Sequence, residues 1–241
     1  MIIEVDNLSY SYPDSPDVLK GVNLNIRKGE RVAVIGANGS GKTTLFLSLC
    51  GVLVPSEGRI RINGKEMNGK FSSDISYVFQ HPDDQLFSPT VFEDVAFGSL
   101  NMGLSRAEVR KRADYALKRA GCSDLSDRIP HHLSGGEKRM VAIASVLSMK
   151  PEVILFDEPT SNLDSRNRRN LINTINESSE TILLASHDFE FLLETCKRCI
   201  LIEKGEILED APIRTIMGNK EKMNSYGMEK PHSLIPHSHL N

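Results

Sequence analysis

Two runs in this chain combine residue types that act on phosphates. "GANGSGKT", Gly36 to Thr43, fits the spacing G-x-x-x-x-G-K-[ST], and it follows the apolar "RVAVI" and opens a helical stretch. Its glycines let successive main-chain N–H groups turn inward on a phosphate, and the helix start adds about half a positive charge. Lys42 is placed to reach the β and γ phosphates of a nucleoside triphosphate, and the Thr43 hydroxyl to ligate Mg2+. The second run, "VILFDEP", is an apolar strand ending in Asp157, a carboxylate able to hold Mg2+ through water. Glu158 follows directly, suited to act as general base for an attacking water, and Pro159 turns the chain away.

A third run, "HLSGGEKRMVAIAS", puts two glycines where a helix should begin. Ser134 and Glu137 form a capping box, so Gly135 and Gly136 occupy the first turn of a helix that runs to about Met149 before Pro151 stops it. Glycine there costs up to ~1 kcal/mol per residue relative to alanine. That cost is explicable if a phosphate must come against bare amides. The loop at Gly36 already surrounds its own phosphate, so this second turn would serve a nucleotide held by a different molecule.

The elements that must position these residues follow from apolar periodicity. "IIEVDNLSYSY" and "GVNLNIRKGE" alternate with the period of half-exposed strands, which suggests an antiparallel layer. "RVAVIG" is apolar on both faces and leads into a helix from about Lys42 to Cys50, with Gly51 as its stop, the opening of a helix-covered parallel sheet. "GRIRINGKE", "ISYVFQ", "EVILFDEP", "TILLASHD" and "CILIEKGEIL" supply further strands. Between Gln80 and Pro151 the pattern is mostly helical, with a capping box at Ser105 and Glu108 and apolar positions at Val109, Ala113, Ala116 and Leu117 before Gly121. Past Ala211 the periodicity fades, so residues 216–241 are expected to form a loosely ordered tail.

With the phosphate loop and "LSGGE" together, residues 1 to 215 resemble the ABC-type ATPases. The resemblance implies an α/β fold of the P-loop NTPase kind, with a parallel core sheet, an N-terminal antiparallel β layer and a helical subdomain over about 82–150. It implies that two such domains pair head to tail around two ATP molecules with Mg2+. Each ATP would lie between one copy's Gly36, Ala37, Asn38, Gly39, Ser40, Gly41, Lys42, Thr43 and Thr44 and the other copy's Ser134, Gly135, Gly136 and Glu137. Gln80 matches the glutamine that senses Mg2+ and the attacking water, and Asp164, closing "SNLD", matches the loop that meets the opposite protomer. His187 matches the switch histidine at the γ-phosphate. Tyr12 matches the aromatic that stacks on adenine, with Tyr10 as the alternative.

A narrower resemblance lies in "QHPDDQLFSPTVFEDVAFG", which looks like the ATPase subunits of energy-coupling factor importers of the cobalt and nickel type. It implies a groove that receives a coupling helix from a transmembrane subunit, a second membrane subunit that binds the cargo, and a place on the cytoplasmic face of the membrane. Asp83 and Asp84 beside Leu86, Phe87 and Phe92 could offer a basic amphipathic helix an apolar slot and countercharge. The other reading is a soluble ABC-type ATPase not coupled to transport; the stretch between Gln80 and Ser134 lacks the heptads that a DNA-repair type would carry.

At 241 residues and 39% hydrophobic content the chain can bury one substantial core. Its net charge of -3 is mixed in sign along the sequence, so no basic field invites nucleic acid. It shows no signal pattern and no apolar run near the ~18–20 residues needed to span a bilayer. Cys196 and Cys199 form a Cys-x-x-Cys pair that reads better as buried thiols than as half a zinc site, in keeping with a reducing cytosol. His232, His237 and His239 suit cobalt or nickel, or are histidines without a ligand in a polar tail.

Overall fold

The N-terminal segments pair as their two-residue period demands. In the computed structural model, which describes residues 1–67 and 69–235, β1 (Ile3–Tyr12) and β2 (Ser15–Ile26) run antiparallel, with Ile3, Val5 and Leu8 opposite Ile26, Leu24 and Val22. β2 begins six residues before the alternating stretch that marks it in the sequence, because Tyr10 and Tyr12 take Leu19 and Ser15 as cross-strand partners. β3 (Arg31–Ile35) is buried on both faces and leads through the phosphate loop into α1 (Lys42–Leu49). A helix of eight residues is not stable alone. Full burial of Leu45, Phe46 and Leu49 holds it. β4 (Glu57–Ile62) returns along β1, placing Ile62 and Ile60 opposite Ile3 and Val5, and the short β5 (Lys65–Glu66) closes that sheet in the order β2-β1-β4-β5.

Two compact units divide the chain, Met1–Ser72 together with the chain from Leu183 onward, and Ser73–Ile182. The second is larger than the helical segment 82–150 expected from sequence, since it also holds two strands. These are β6 (Ile75–Val78) and, after α2 (Val91–Asn101), α3 (Arg106–Arg119) and α4 (Gly135–Met149), β7 (Val153–Asp157). β6 and β7 are parallel with Ile75 beside Val153 and Val78 beside Phe156, so the chain leaves both strands at adjacent carboxyl ends, toward Gln80 and Asp157. α4 packs against α2 and α3 and buries Met140, Val141, Ile143 and Leu147. Thr90 and Glu93 cap α2 reciprocally, a T-x-x-E signal as readable as that of Ser134. At α3 the Ser105 hydroxyl accepts from the Glu108 amide, but the Glu108 carboxylate turns to Arg112 at 2.9 Å, so the expected reciprocal box is only half formed. α5 (Ser165–Asn176) completes this unit.

β8 (Thr181–Ala185) carries the chain back into the first unit, followed by α6 (Phe189–Thr195), β9 (Arg198–Glu203) and β10 (Glu206–Pro212). The strand order there is β10-β9-β3-β8, with β9 parallel to β3. Residues 216–235 are more structured than the sequence suggests. α7 (Ile213–Met217) and α8 (Lys220–Ser225) follow, Met217, Met223 and Met228 are buried, and Lys222 pairs with Glu209 at 2.5 Å. Methionines spaced by six and five positions show no helical period, yet their flexible side chains fill the gaps. His237 and His239 lie outside the described residues; His232 sits on a single 3-10 turn, and among the described residues no three potential ligands converge on a metal site. Cys196 and Cys199 are buried thiols, and burial pushes Cys196 up to about 12, so they behave as small apolar residues. No helix among the described residues is long and apolar enough to cross a membrane.

An ion pair ties the end of α3 to the turn before β8. Arg119 meets the Glu180 carboxylate at 2.9 and 3.3 Å and the Ser178 hydroxyl at 2.7 Å. Burial pushes the Glu180 carboxyl up, but hydrogen bonds from Arg119 and Ser178 with the arginine charge outweigh it and bring its pKa to about 2. The folded pKa is depressed, so this contribution is complete above the ordinary value of 4.5 and is lost as pH falls toward 2. Urea unfolding followed by circular dichroism from pH 5 to 3 should show a shallower loss of stability in Glu180→Gln than in the native chain. Equal slopes would mean that the pair adds nothing.

Candidate functional site

In the first unit, β3 delivers the chain into a loop whose backbone only glycine can follow. Gly36 has φ +156, and a Cβ there would stand 2.1 Å from the Ile202 carbonyl oxygen and 2.7 Å from Ser40 Oγ. A Cβ on Gly39 (φ +76) would meet nothing within 4 Å, and that residue, with Asn38, faces solvent. Gly41 (φ +110) precedes α1, whose first turn carries no side-chain cap and no acidic residue. Lys42 is 8% exposed, and its ammonium donates to the Gly36 and Ala37 carbonyls at 2.8 and 2.9 Å, bending the side chain back over the loop. Ser40 Oγ is buried without a hydrogen-bond partner among the described residues. An uncapped helix start, a lysine folded over the turn and an orphaned hydroxyl fit a phosphate chain.

Two further predicted residues gather around this loop. The Tyr12 hydroxyl lies 3.4 Å from Thr44 Oγ1 on α1, while Tyr10 meets the Tyr12 ring edge-on at 4.9 Å. Tyr12 is therefore the aromatic adjacent to the helix that opens from the loop. His187 follows β8, and its Nε2 is 2.9 Å from Asn38 Oδ1, so the strand end and the loop are joined through a pair of exposed side chains 149 positions apart.

The second unit holds the acids. Asp157 closes β7 at 2% exposure, and the Tyr77 hydroxyl on β6 donates to its Oδ2 at 2.9 Å. Glu158 has φ +47, a left-handed conformation that costs a non-glycine residue on the order of 1–3 kcal/mol. Buried β7 on one side and Pro159 on the other hold it there. Gln80 is exposed two residues beyond β6. Asp164 caps α5, accepting from the Asn167 amide at 2.7 Å, and remains exposed.

α4 opens as the capping box requires. Ser134 Oγ accepts from the Glu137 amide at 3.3 Å, and a Glu137 carboxylate oxygen accepts from the Ser134 amide at 2.8 Å. The main-chain and hydroxyl hydrogen bonds from Ser134 lower the Glu137 pKa, keeping it ionised. The two glycines differ. A Cβ on Gly136 would meet Asn167 Nδ2 at 3.0 Å, so a larger residue there must push the asparagine side chain aside. A Cβ on Gly135 would meet nothing nearer than Asn162 Cβ at 4.0 Å, and the residue is exposed. Nothing in its own unit accounts for a glycine at 135.

The expected groove is assembled differently from its sequence reading. Leu86 is core at 3% exposure, Phe92 lies beneath the Arg110 guanidinium at 5.8 Å, and Asp83 is already paired with Lys138 at 2.6 Å. Phe87 is exposed and meets the exposed Phe97 edge-on at 4.9 Å, with Asp84 three positions before it in sequence. Sequence reasoning also passed over Tyr77 and Arg139. The latter is 1% exposed on α4, and the signal for it was a charge on the face that Met140, Ile143 and Val146 mark as buried.

The ABC transporter family model matches residues 19–161. The chain is 43% identical to the energy-coupling factor transporter ATP-binding protein EcfA of Methanothermobacter thermautotrophicus, over 95% of this chain and 77% of that protein. Its fold matches CbiO1 of Clostridium perfringens, described as part of the ABC transporter complex CbiONQ, with a TM-score of 0.81, 39% identity and 93% of each chain covered. It also matches the ATP-binding cassette MJ0796, dimeric in a post-hydrolysis state with ADP and phosphate, with a TM-score of 0.78, 29% identity, and 88% of this chain and 99% of that one covered.

The two glycines of α4 separate experimentally. Gly135→Ala should leave the thermal midpoint unchanged or slightly raised, since alanine gains up to ~1 kcal/mol in a helix and meets no neighbour. Gly136→Ala should lower it by crowding Asn167. A destabilised Gly135→Ala in differential scanning calorimetry would show that the exposed glycine serves its own fold.

Proposed function

The chain belongs to the ABC transporter family, and from that premise we propose that it is the ATP-hydrolysing subunit of an energy-coupling factor importer that takes up a metal ion, cobalt or nickel, or a vitamin. That it is an ATPase of the ABC type follows from the family. The importer class is supported by the likeness to EcfA and CbiO1. On this reading the protein sits at the cytoplasmic face of the membrane, held by a transmembrane coupling subunit that partners the cargo-binding subunit. The exposed Phe87 and Phe97 pair offers a coupling helix an apolar contact.

One observation carries the chemistry. Gly135 opens α4 with bare, exposed main chain that its own unit does not need. It suits a triphosphate seated in the phosphate loop of a second copy or of a sister ATPase, and the similar cassette MJ0796 is dimeric with ADP and phosphate bound. In each copy Gly36–Thr44 wraps the phosphates, Lys42 meets the β and γ groups, and the Tyr12 ring stacks on adenine. Thr43, Gln80 and Asp157 would hold Mg2+, which supplies charge neutralisation at the phosphates when bound. Tyr77 fixes the orientation of the Asp157 carboxylate. Glu158, aimed by its left-handed backbone, takes the proton of the attacking water. His187 contacts the γ-phosphate, and its tie to Asn38 places it at the loop beforehand. Ser134, Gly135, Gly136 and Glu137 with Asp164 face the opposite copy.

Glu158→Gln keeps size and hydrogen bonding but cannot take up the proton. It should bind ATP normally, lose roughly 10²–10⁴-fold in turnover, and accumulate as an ATP-bound dimer in size-exclusion chromatography. Normal hydrolysis by this variant would remove Glu158 from the role of base.

A further inference from the structure

A buried guanidinium on α4 serves neither cap nor core. Arg139 Nη1 donates to the Phe79 carbonyl at 2.6 Å, and Nη2 to the Gln80 carbonyl at 2.5 Å. Its Nε has no partner among the described residues. Burial lowers the Arg139 pKa, the carboxylates of Asp157 and Glu158 oppose that, and an arginine stays charged regardless. A charge so fully withdrawn from water is costly unless its donors are met, and two consecutive carbonyls meet the two Nη groups of the planar fork.

The same loop is bound to the same helix at other points. Gln85 Nε2 donates to the Ala142 carbonyl at 2.7 Å and to Ser145 Oγ at 2.9 Å, while Gln85 Oε1 accepts from the Phe79 amide at 3.2 Å. Lys138 reaches Asp83 at 2.6 Å. Of these ties only Arg139 grips the main chain of Gln80, whose own side chain is left exposed. Residues 138, 139, 142 and 145 recur at helical spacing, so one face of α4 carries the loop along its length.

We propose that Arg139 is a positioning residue for Gln80. Its fork fixes the main chain at Phe79 and Gln80 to the helix whose first turn is Ser134–Glu137, so the glutamine and the exposed glycine turn are carried on one frame. A displacement at either end is then felt at the other. Lysine does not reproduce the fork, because it replaces two separate nitrogens, held in one plane with a carbonyl on each, by a single ammonium on a flexible stem. The proposal rests on the reading of Gln80 as the residue that senses Mg2+ and the attacking water.

The test compares Arg139→Lys, Gln80→Ala and the double variant by steady-state ATP hydrolysis as a function of ATP and Mg2+. Arg119→Lys, which weakens a half-buried pair that takes no part in the site, serves as the control for lost stability. Arg139→Lys should lower kcat roughly 10- to 100-fold and raise the Mg2+ concentration needed for half-maximal rate, with KM for ATP little changed. The double variant should be no slower than Gln80→Ala alone, because both changes remove one function. Arg119→Lys should retain kcat at a comparable loss of thermal stability. If Arg139→Lys does not purify folded, Arg139→Gln, which also lacks the fork, is read in the same way. Native kcat in a folded Arg139 variant, or losses that multiply in the double variant, would overturn the proposal. Native turnover in Gln80→Ala would remove the premise instead, and that result is read from the single variant alone.

Discussion

A main chain can close on a neighbouring group only where no Cβ stands between them, and that steric requirement bears on both glycine turns of this protein. At Gly36 the requirement is internal: a side chain would strike the Ile202 carbonyl and Ser40, so the loop could not form at all. At Gly135 it is not internal. Outside its own helix the nearest heavy atom to a side chain there is 4.0 Å away, and alanine would favour the helix. A residue that its own fold does not require is explained by what approaches from outside. On the proposed function the first turn is a closed cradle and the second an open one, and nucleotide hydrolysis is an event of two molecules.

The fold supplies each group by bringing it to the end of a strand or the start of a helix. β3 ends at the phosphate loop, β7 at Asp157 and Glu158, β6 just before Gln80, and β8 just before His187. Strand interiors are buried and rigid, so the groups at their ends are placed without long flexible supports. Backbone strain at Glu158 is borne by the fully buried β7 behind it. The helix starts are tightened locally, by the reciprocal Ser134–Glu137 cap on α4 and by Asp164 on α5. Arg139 adds a longer-range tie, in which a desolvated charge on α4 secures the main chain that presents Gln80.

The parts of this site legible in the sequence are those whose geometry is made by contiguous residues. Gly36 to Thr43 and Ser134 to Glu137 each write a complete turn in one short run, and the parallel and antiparallel strands declare themselves by their period. Pairings across the chain are written nowhere locally. Tyr77 with Asp157, Tyr12 with Thr44, and His187 with Asn38 depend on strand register and loop path. The slot ascribed to Leu86, Phe87 and Phe92 met the same difficulty: apolar type was visible but exposure was not, and Leu86 is buried, Phe92 is half-buried beside Arg110, and Phe87 stands exposed against Phe97. Beyond residue 216, methionines without a helical period build a packed segment that a periodicity argument passes over.

The central claim is that the turn at Gly135 completes a nucleotide site belonging to another copy. The most direct measurement is ATP turnover per chain across serial dilution, with the oligomeric state followed in parallel by analytical ultracentrifugation. Turnover per chain should fall as the dimer dissociates and vanish for the monomer. A strict monomer at high dilution that hydrolyses ATP at the undiminished rate would contradict the account.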